Sequence, residues 1–339
     1  TADFWMNPTV GAGPFKFVTY ETDQYIEYVR NEEYHLGKPN PEQIFVKIIT
    51  PATMVAQLEQ NEVDITASGG IGDVPLDDWE RVQSLENVNA YGYQDNGYQY
   101  MIINWDPEGP WVDKKIRQAL AYGINRQLIV DQLLKGLGVI AQTPIIPVTY
   151  YYNPEVEGMF DYDPDKAKAL LEEAGWDFDR EVVLLVPLGN IVRELSADII
   201  QANLQALGMK VSIEKMDFPT LMARFGDADF DIGLVGWSDV LDPDVRSQYH
   251  SDGQYNFGAI NSPVLDDLLE RGASTADPAA RKEIYDEFQM QFLEEMPVVA
   301  LYWPLRRAAI NKRVQNASHI ITTNGLQRNV NEWWVEDGE

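Results

Sequence analysis

Not one of the 339 residues is cysteine. That excludes disulfide cross-links, thiol nucleophiles, cysteine-ligated zinc and iron–sulfur clusters, and it leaves the compartment open. Histidine is nearly as scarce, with only His35, His250 and His319, widely spaced. No HExxH, GxSxG, Walker-type loop or spaced dinucleotide fingerprint is present, so the motif-borne catalytic classes go with it. Positive charge is short too: Lys plus Arg number 26 against 54 Asp plus Glu, a formal net charge of −28. Such a field repels polyanions, which argues against nucleic acid and anionic membrane as partners. No apolar run approaches the roughly 18 residues of a membrane span. The longest, Val182–Leu185 and Val298–Tyr302, have strand length. No signal peptide is visible, and the opening Thr1-Ala2-Asp3-Phe4-Trp5 without an initiator methionine suggests a processed or trimmed chain. What is plentiful is packing material. Hydrophobic residues make up 45 % and aromatics 11 %, enough for folded cores, in about two domains by length.

Strands and helices alternate along the chain. Phe15–Tyr20, Tyr25–Asn31 and Gln43–Ile49 carry the period-two pattern of half-buried strands. Thr50-Pro51 opens a helix bearing Met54, Val55 and Leu58, followed by a short strand at Val63–Ile65. Asp113 caps one long helix, its stripe marked by Ile116, Leu120, Ile124 and Leu133. Asp163-Pro164 starts a helix that Gly175 ends, and Val192–Leu207 is closed by Gly208. Val211 and Ile213 mark a strand, and Asp217 with Pro219 opens a helix to Phe225. Asp231–Trp237 reads as a buried strand. Ser262-Pro263 and Asp277-Pro278 begin further helices, and Val298–Tyr302 is the last strong strand. The alternation predicts an α/β protein without internal repeats. Asp95–Gly97, Pro144–Pro154 and Asn324–Asn331 are the mild linkers.

Carboxylates are so common that pairs occur by chance. Asp77-Asp78, Glu172-Glu173, Asp266-Asp267 and Glu294-Glu295 fall on the polar sides of predicted helices and read as solvated faces. Gly69–Gly72 lacks the lysine of a phosphate loop and reads as a turn. Asp227, Asp229 and Asp231 alternate as calcium loops do, but the strand that follows favours a turn. One cluster stands apart. The strand ends in Gly236-Trp237, followed by Asp239 and Asp242-Pro243. The carboxyl ends of strands in open α/β sheets are where ligands bind. An indole face is a flat apolar wall, and an acid beside it suits an ammonium or a hydroxyl. The same residues read equally well as a core tryptophan and a strand stop.

Six stretches, in order, resemble family 5 of the extracellular solute-binding proteins, the peptide and nickel binders that feed ABC importers. Val10–Phe17 is similar to that family's GTGPY entry, and Tyr28–Asn31 with Gly37–Pro39 to its RNPNYW-GKP segment. Gln57–Ile65 resembles LQxGEVDI, Pro110–Arg126 resembles PFxDVRVRQALxYAIDR, and Asp163–Trp176 resembles DPxKAKxLLxEAG. Gly236-Trp237 with Asp239 and Asp242-Pro243 resembles GWxxDxxDP, one residue shorter here.

The resemblance implies a two-lobe, periplasmic-binding-protein-like α/β fold, type II, of the large peptide-binder class. Residues 1–98 would belong to lobe one, 99–302 would form lobe two, and 303–339 would return to lobe one, which is incomplete because family members are longer at the N-terminus. It also implies a non-enzyme without cofactor or metal. Such a protein captures an oligopeptide or dipeptide outside the cytoplasm, in the periplasm or as a cell-surface lipoprotein, and delivers it to an ABC permease. Asp239 falls where the peptide binders hold the ligand's α-ammonium. Arg224 lies near the region that holds the peptide's C-terminus, and Trp237, Tyr249 and Trp303 would wall the cleft. An oligosaccharide or a nickel complex is the alternative ligand. A non-transport chaperone or sensor on the same fold would share these motifs. A carbohydrate hydrolase is the rival of another class, and would need two carboxylates about 5–10 Å apart in one pocket.

Overall fold

The structure is a computed structural model, and it describes residue 8 and residues 10–66, 72–238, 241–317 and 329–336. The chain divides into two compact units. One comprises Thr1–Asp95 with Leu305–Glu339; the other is the unbroken segment Asn96–Pro304.

The first unit opens with an antiparallel meander, β1 (Phe15–Glu21), β2 (Tyr25–Arg30) and β3 (Gln43–Lys47). Phe45 and Val46 are neighbours pointing to opposite faces of β3, and both are about half exposed (51 % and 45 %), so each face of that edge strand is only partly covered, the Phe45 ring lying edge-on to Tyr25. Helix α1 (Pro51–Glu59) starts at Thr50-Pro51 as the sequence indicates, and α2 (Trp79–Gln83) precedes β4 (Val88–Gln94). The strand expected at Val63–Ile65 is reduced to a single bridge between Ile65 and Ile310.

The second unit is built on a mixed sheet. It contains β5 (Gly97–Ile103), β6 (Gly138–Ile140), β7 (Glu181–Pro187), β8 (Lys210–Met216), β9 (Ile232–Ser238) and the first part of β10 (Val298–Asn311). β5 pairs antiparallel with β10 and β9, while β7 pairs parallel with β8 and β9. The carboxyl ends of β7, β8 and β9 therefore share one edge. β10 was expected to stop at Tyr302. It continues to Asn311, where Leu305–Asn311 pair with β4 as part of the first unit. A two-stranded ladder of β11 (Val314–Gln315) and β12 (Trp334–Val335) completes the first unit.

Short polar side chains start the helices. Asp113, Asn125, Asp163, Asn190, Asp217 and Asp277 each accept from a backbone N–H of the turn that follows them. They head α3 (Lys114–Gly123), α4 (Arg126–Leu133), α5 (Pro164–Glu173), α6 (Ile191–Ala206), α7 (Phe218–Gly226) and α10 (Pro278–Glu295). The short α8 (Arg246–Tyr249) and α9 (Pro263–Ser274) lie between the last two. Gly175 and Gly208 take φ of +70° and +98° just beyond α5 and α6, a conformation that favours glycine. The single helix expected from Asp113 to Leu133 is two: the chain turns at Ile124-Asn125, and Asn125 caps the second. The core of the second unit runs through Trp111, Tyr98, Trp303, Tyr285, Phe288 and the β7 valines and leucines. Among the described residues no helix is long and apolar enough to cross a membrane.

Candidate ligand-binding site

The reason for the glycine in Gly236-Trp237 lies on the α6 face of the sheet. Tyr302, Gln99 and Gly236 form one row across β10, β5 and β9. A Cβ on Gly236 would lie 2.4 Å from Gln99 Nε2 and 2.9 Å from Arg193 Nη2. Both distances are shorter than any van der Waals contact, so the missing side chain is what admits the amide and the guanidinium. Arg193, in the first turn of α6, donates from Nε and Nη2 to Gln99 Oε1 at 2.9 and 2.8 Å. Burial pushes its pKa down. Tyr302 completes the row. It is buried and hydrogen-bonded with Ser196, and burial pushes its phenol up to about 12.

Trp237 points to the opposite face, since adjacent strand residues alternate. It is partly buried, with its ring 4.9 Å from that of Tyr255 at 52°, and Tyr255 is 41 % exposed. The carboxyl end of β9 is thus bracketed by a guanidinium on one face and an aromatic shelf on the other.

The remaining expected site residues are placed differently. Asp239 lies outside the described residues. Tyr249 is 1 % exposed, its hydroxyl against that of Tyr98 and its ring edge-on to Phe292. Trp303 is 0 % exposed and packs 4.9 Å from Tyr98. Both are core residues of the second unit with no surface to offer a ligand, which corrects their assignment as cleft walls. The pattern that misled is shared, because a buried aromatic and a binding aromatic look alike in sequence. Arg224 is occupied: it ion-pairs with Asp229 at 2.7 Å and Glu214 at 3.4 Å at the end of α7, where a cation also meets the helix dipole favourably.

The acids around the strand end are committed as well. Asp242 makes two 2.8 Å hydrogen bonds with Arg281, which hold its carboxyl below the usual range. Asp244 does the same with Arg246. Asp231 pairs with Arg180 at 2.7 Å and accepts from the Trp111 indole, and Asp229 pairs with Arg224, so two of the three alternating aspartates are spent on arginines. Among the described residues no three histidine, aspartate or glutamate side chains converge as a metal site.

Arg193 and Gln99 were not singled out from the sequence. The available signal was a charged residue on the inward stripe of a helix whose other members, Ser196, Ala197, Ile200 and Leu204, are all buried. Gln99 lies far from it in sequence, and only the sheet register brings the two together.

The model describing the bacterial extracellular solute-binding proteins, family 5 middle region, matches residues 1–258. The chain belongs to that family. It is 27 % identical to the oligopeptide-binding protein AppA of Bacillus subtilis over 98 % of this chain and 63 % of that protein. The solved structure of that relative, in complex with a nonapeptide, superposes with a TM-score of 0.77 at 26 % identity, covering 96 % of this chain and 66 % of the other. The ABC transporter substrate-binding protein CtaP of Listeria monocytogenes gives a TM-score of 0.84 at 26 % identity, covering 98 % and 68 %. The nickel-binding periplasmic protein of Escherichia coli is 28 % identical over 87 % of this chain and 59 % of that one. The fold is accordingly that of the type II binding proteins of family 5. The chain spans 56 to 63 % of the length of the first curated relatives it matches.

Proposed function

We propose that this family 5 protein is the extracytoplasmic substrate-binding subunit of an ABC importer, without catalysis of its own, and that its solute is an oligopeptide or dipeptide. The observation that carries the reading is the end of β9, where Trp237 and Tyr255 present aromatic surface beside a glycine that clears space for a guanidinium. The names of the relatives, an oligopeptide binder and a dipeptide binder among them, point the same way. Capture would work by hinge closure of the two units. Ligand contacts favour the closed state only to the extent that they are better there than in the open one. The hydrolase reading loses ground because Asp231, Asp242 and Asp244 are each neutralised by an arginine, and a general acid or nucleophile needs a carboxyl free to act.

Calorimetric titration of the 339-residue protein with a random tetrapeptide pool tests the reading, with maltotetraose and a nickel–histidine complex as controls. Saturable binding of peptides, with a change in tryptophan emission that Trp237→Phe abolishes, is the expected result. Binding of either control with indifference to peptides would replace the peptide assignment.

A further inference from the structure

The sheet of the second unit has another end, away from Trp237. β5 runs antiparallel to β9, with Gly97 opposite Ser238 and Ile103 opposite Ile232, so Trp105, just past β5, lies at the amino end of β9. β10 starts at the same end, with Val298 opposite Ile102. The 7 residues of β5 separate the two ends by about 20 Å of extended chain. A cavity of about 310 Å³ opens there, large enough for a small molecule. Its apolar walls are Trp105, Pro107 and Val112, of which the last two are exposed and the indole is buried. Trp105 is held at three points. Nε1 donates to the Pro297 carbonyl at 3.2 Å, the backbone N–H donates to the Gly258 carbonyl at 2.8 Å, and the Arg117 guanidinium carbon lies 3.5 Å from the ring centroid.

The polar groups on this cavity are of two kinds. Its cations are spent. Arg117, 1 % exposed, donates to the carbonyls of Trp111, Glu295 and Met296, the last two at the end of α10. Lys114 donates to Glu294 at 2.5 Å. Its acceptors are not spent. The Glu295 carboxylate, 24 % exposed, comes no closer to Arg117 than 4.0 Å and accepts no hydrogen bond from the described residues. The Asn261 side-chain amide, also on the cavity, makes none with them either. Glu295 is the last residue of α10, at the negative end of the helix dipole. The neighbouring chain adds Asp106, Glu108 and Asp113, and a net charge of −28 concentrates cations around the whole molecule. An anion would meet donors already in use. A neutral guest would leave Glu295 desolvated without a partner. A metal ion needs more oxygens than one carboxylate and one amide, and among the described residues no metal-binding group of side chains forms.

We propose that this cavity binds a small organic cation, a primary ammonium on an aliphatic or aromatic stem. The ammonium donates to Glu295 and to the Asn261 amide oxygen, and the stem lies along Trp105, Pro107 and Val112. The site is separate from that of the imported solute and holds whatever that solute is.

The test uses the full chain with its indole nitrogens labelled. The Nε1–H resonances of Trp105 and Trp237, assigned by Trp105→Phe and Trp237→Phe, are followed by NMR during titration with phenethylammonium chloride. The neutral isostere 2-phenylethanol and the anion 3-phenylpropionate are the controls. A saturable shift at Trp105 is expected with the ammonium, with Trp237 unmoved, and both controls bind about tenfold or more weakly. Glu295→Gln brings the ammonium down to the affinity of the alcohol. Asn261→Ala, at an exposed position, weakens it less. Comparable affinity for ammonium and alcohol overturns the site, as does a shift at Trp237 in place of Trp105, or no saturable shift. So does an ammonium affinity that survives Glu295→Gln at an unchanged melting temperature. If that variant melts early, the comparison of ammonium with alcohol on wild type decides alone.

Discussion

Two glycines three residues apart on β9 show how one residue type serves opposite ends. A Cβ at Gly233 would sit 2.8 Å from the ring of Phe225, a buried aromatic with nowhere to go. At Gly236 it would meet the ends of two side chains that can swing away. Gly233→Ala is therefore expected to destabilise the protein by about 1–3 kcal/mol while sparing ligand affinity. Gly236→Ala should stay within about 1 kcal/mol of wild type and lose affinity, because it evicts Arg193 and Gln99. Urea melts and calorimetry on both variants separate the cases, and a reversed pattern would mean that Gly236 is a packing glycine. Arg117 makes the residue-scale point about the family-like stretch Pro110–Arg126. Its side chain caps the last carbonyls of α10, so Arg117→Met should cost about 3 kcal/mol or more by leaving several buried acceptors unpaired.

At the scale of elements, agreement between sequence and structure follows the strength of local chemistry. Asp113, Asp163, Asp217 and Asp277 all cap helices where the sequence puts them, and Gly175 and Gly208 take the turns it assigns to them. The break between α3 and α4 was misread because Ile116, Leu120 and Ile124 keep helical spacing right up to it and the chain is helical again from Arg126. The contrary signals were present in Gly123 and Asn125. Leu207 packs where a Cβ on Gly123 would be, 2.6 Å away, and Asn125 accepts from the Leu128 N–H. Removing that cap by Asn125→Ala should cost about 1 kcal/mol, seen as a lowered urea midpoint with an unchanged slope. The candidate site was only half legible. Gly236-Trp237 announces itself by a strand that stops at a glycine and an aromatic. Arg193 and Gln99 come from α6 and β5, and no local pattern joins them. Tyr249 and Trp303 needed the third dimension to be recognised as core.

At the scale of the whole molecule, Asp73 in the first unit answers acid with the opposite sign to Asp242 and Asp244 in the second. In the first, Asp73 is buried beside Arg306, Arg307, Asp95 and Tyr93, and its desolvation outweighs its partners, so its pKa is raised above the ordinary 3.8. The native state then binds this proton more tightly than the unfolded chain does. Its penalty is full at neutral pH and is relieved as pH falls through the raised value toward 3.8. In the second unit, Asp242 and Asp244 are lowered by Arg281 and Arg246, so their contribution is complete above 3.8 and is lost below it. Hydrogen-exchange protection of β4, corrected for intrinsic rates, should rise modestly as pH falls from 7 toward 3.8, and Asp73→Asn should flatten that rise. Protection that falls over this window would refute the sign.

The division of the chain also orders its making. The second unit is one unbroken stretch, whereas β4 finds its partner only when Leu305–Asn311 arrive, about two hundred residues later. During synthesis the middle of the protein can finish folding while β4 still waits with an open edge. The stretch that closes the first unit is made only after the whole of the second, so a chain stalled or clipped before Leu305 carries a finished second unit attached to a first unit whose β4 has no partner.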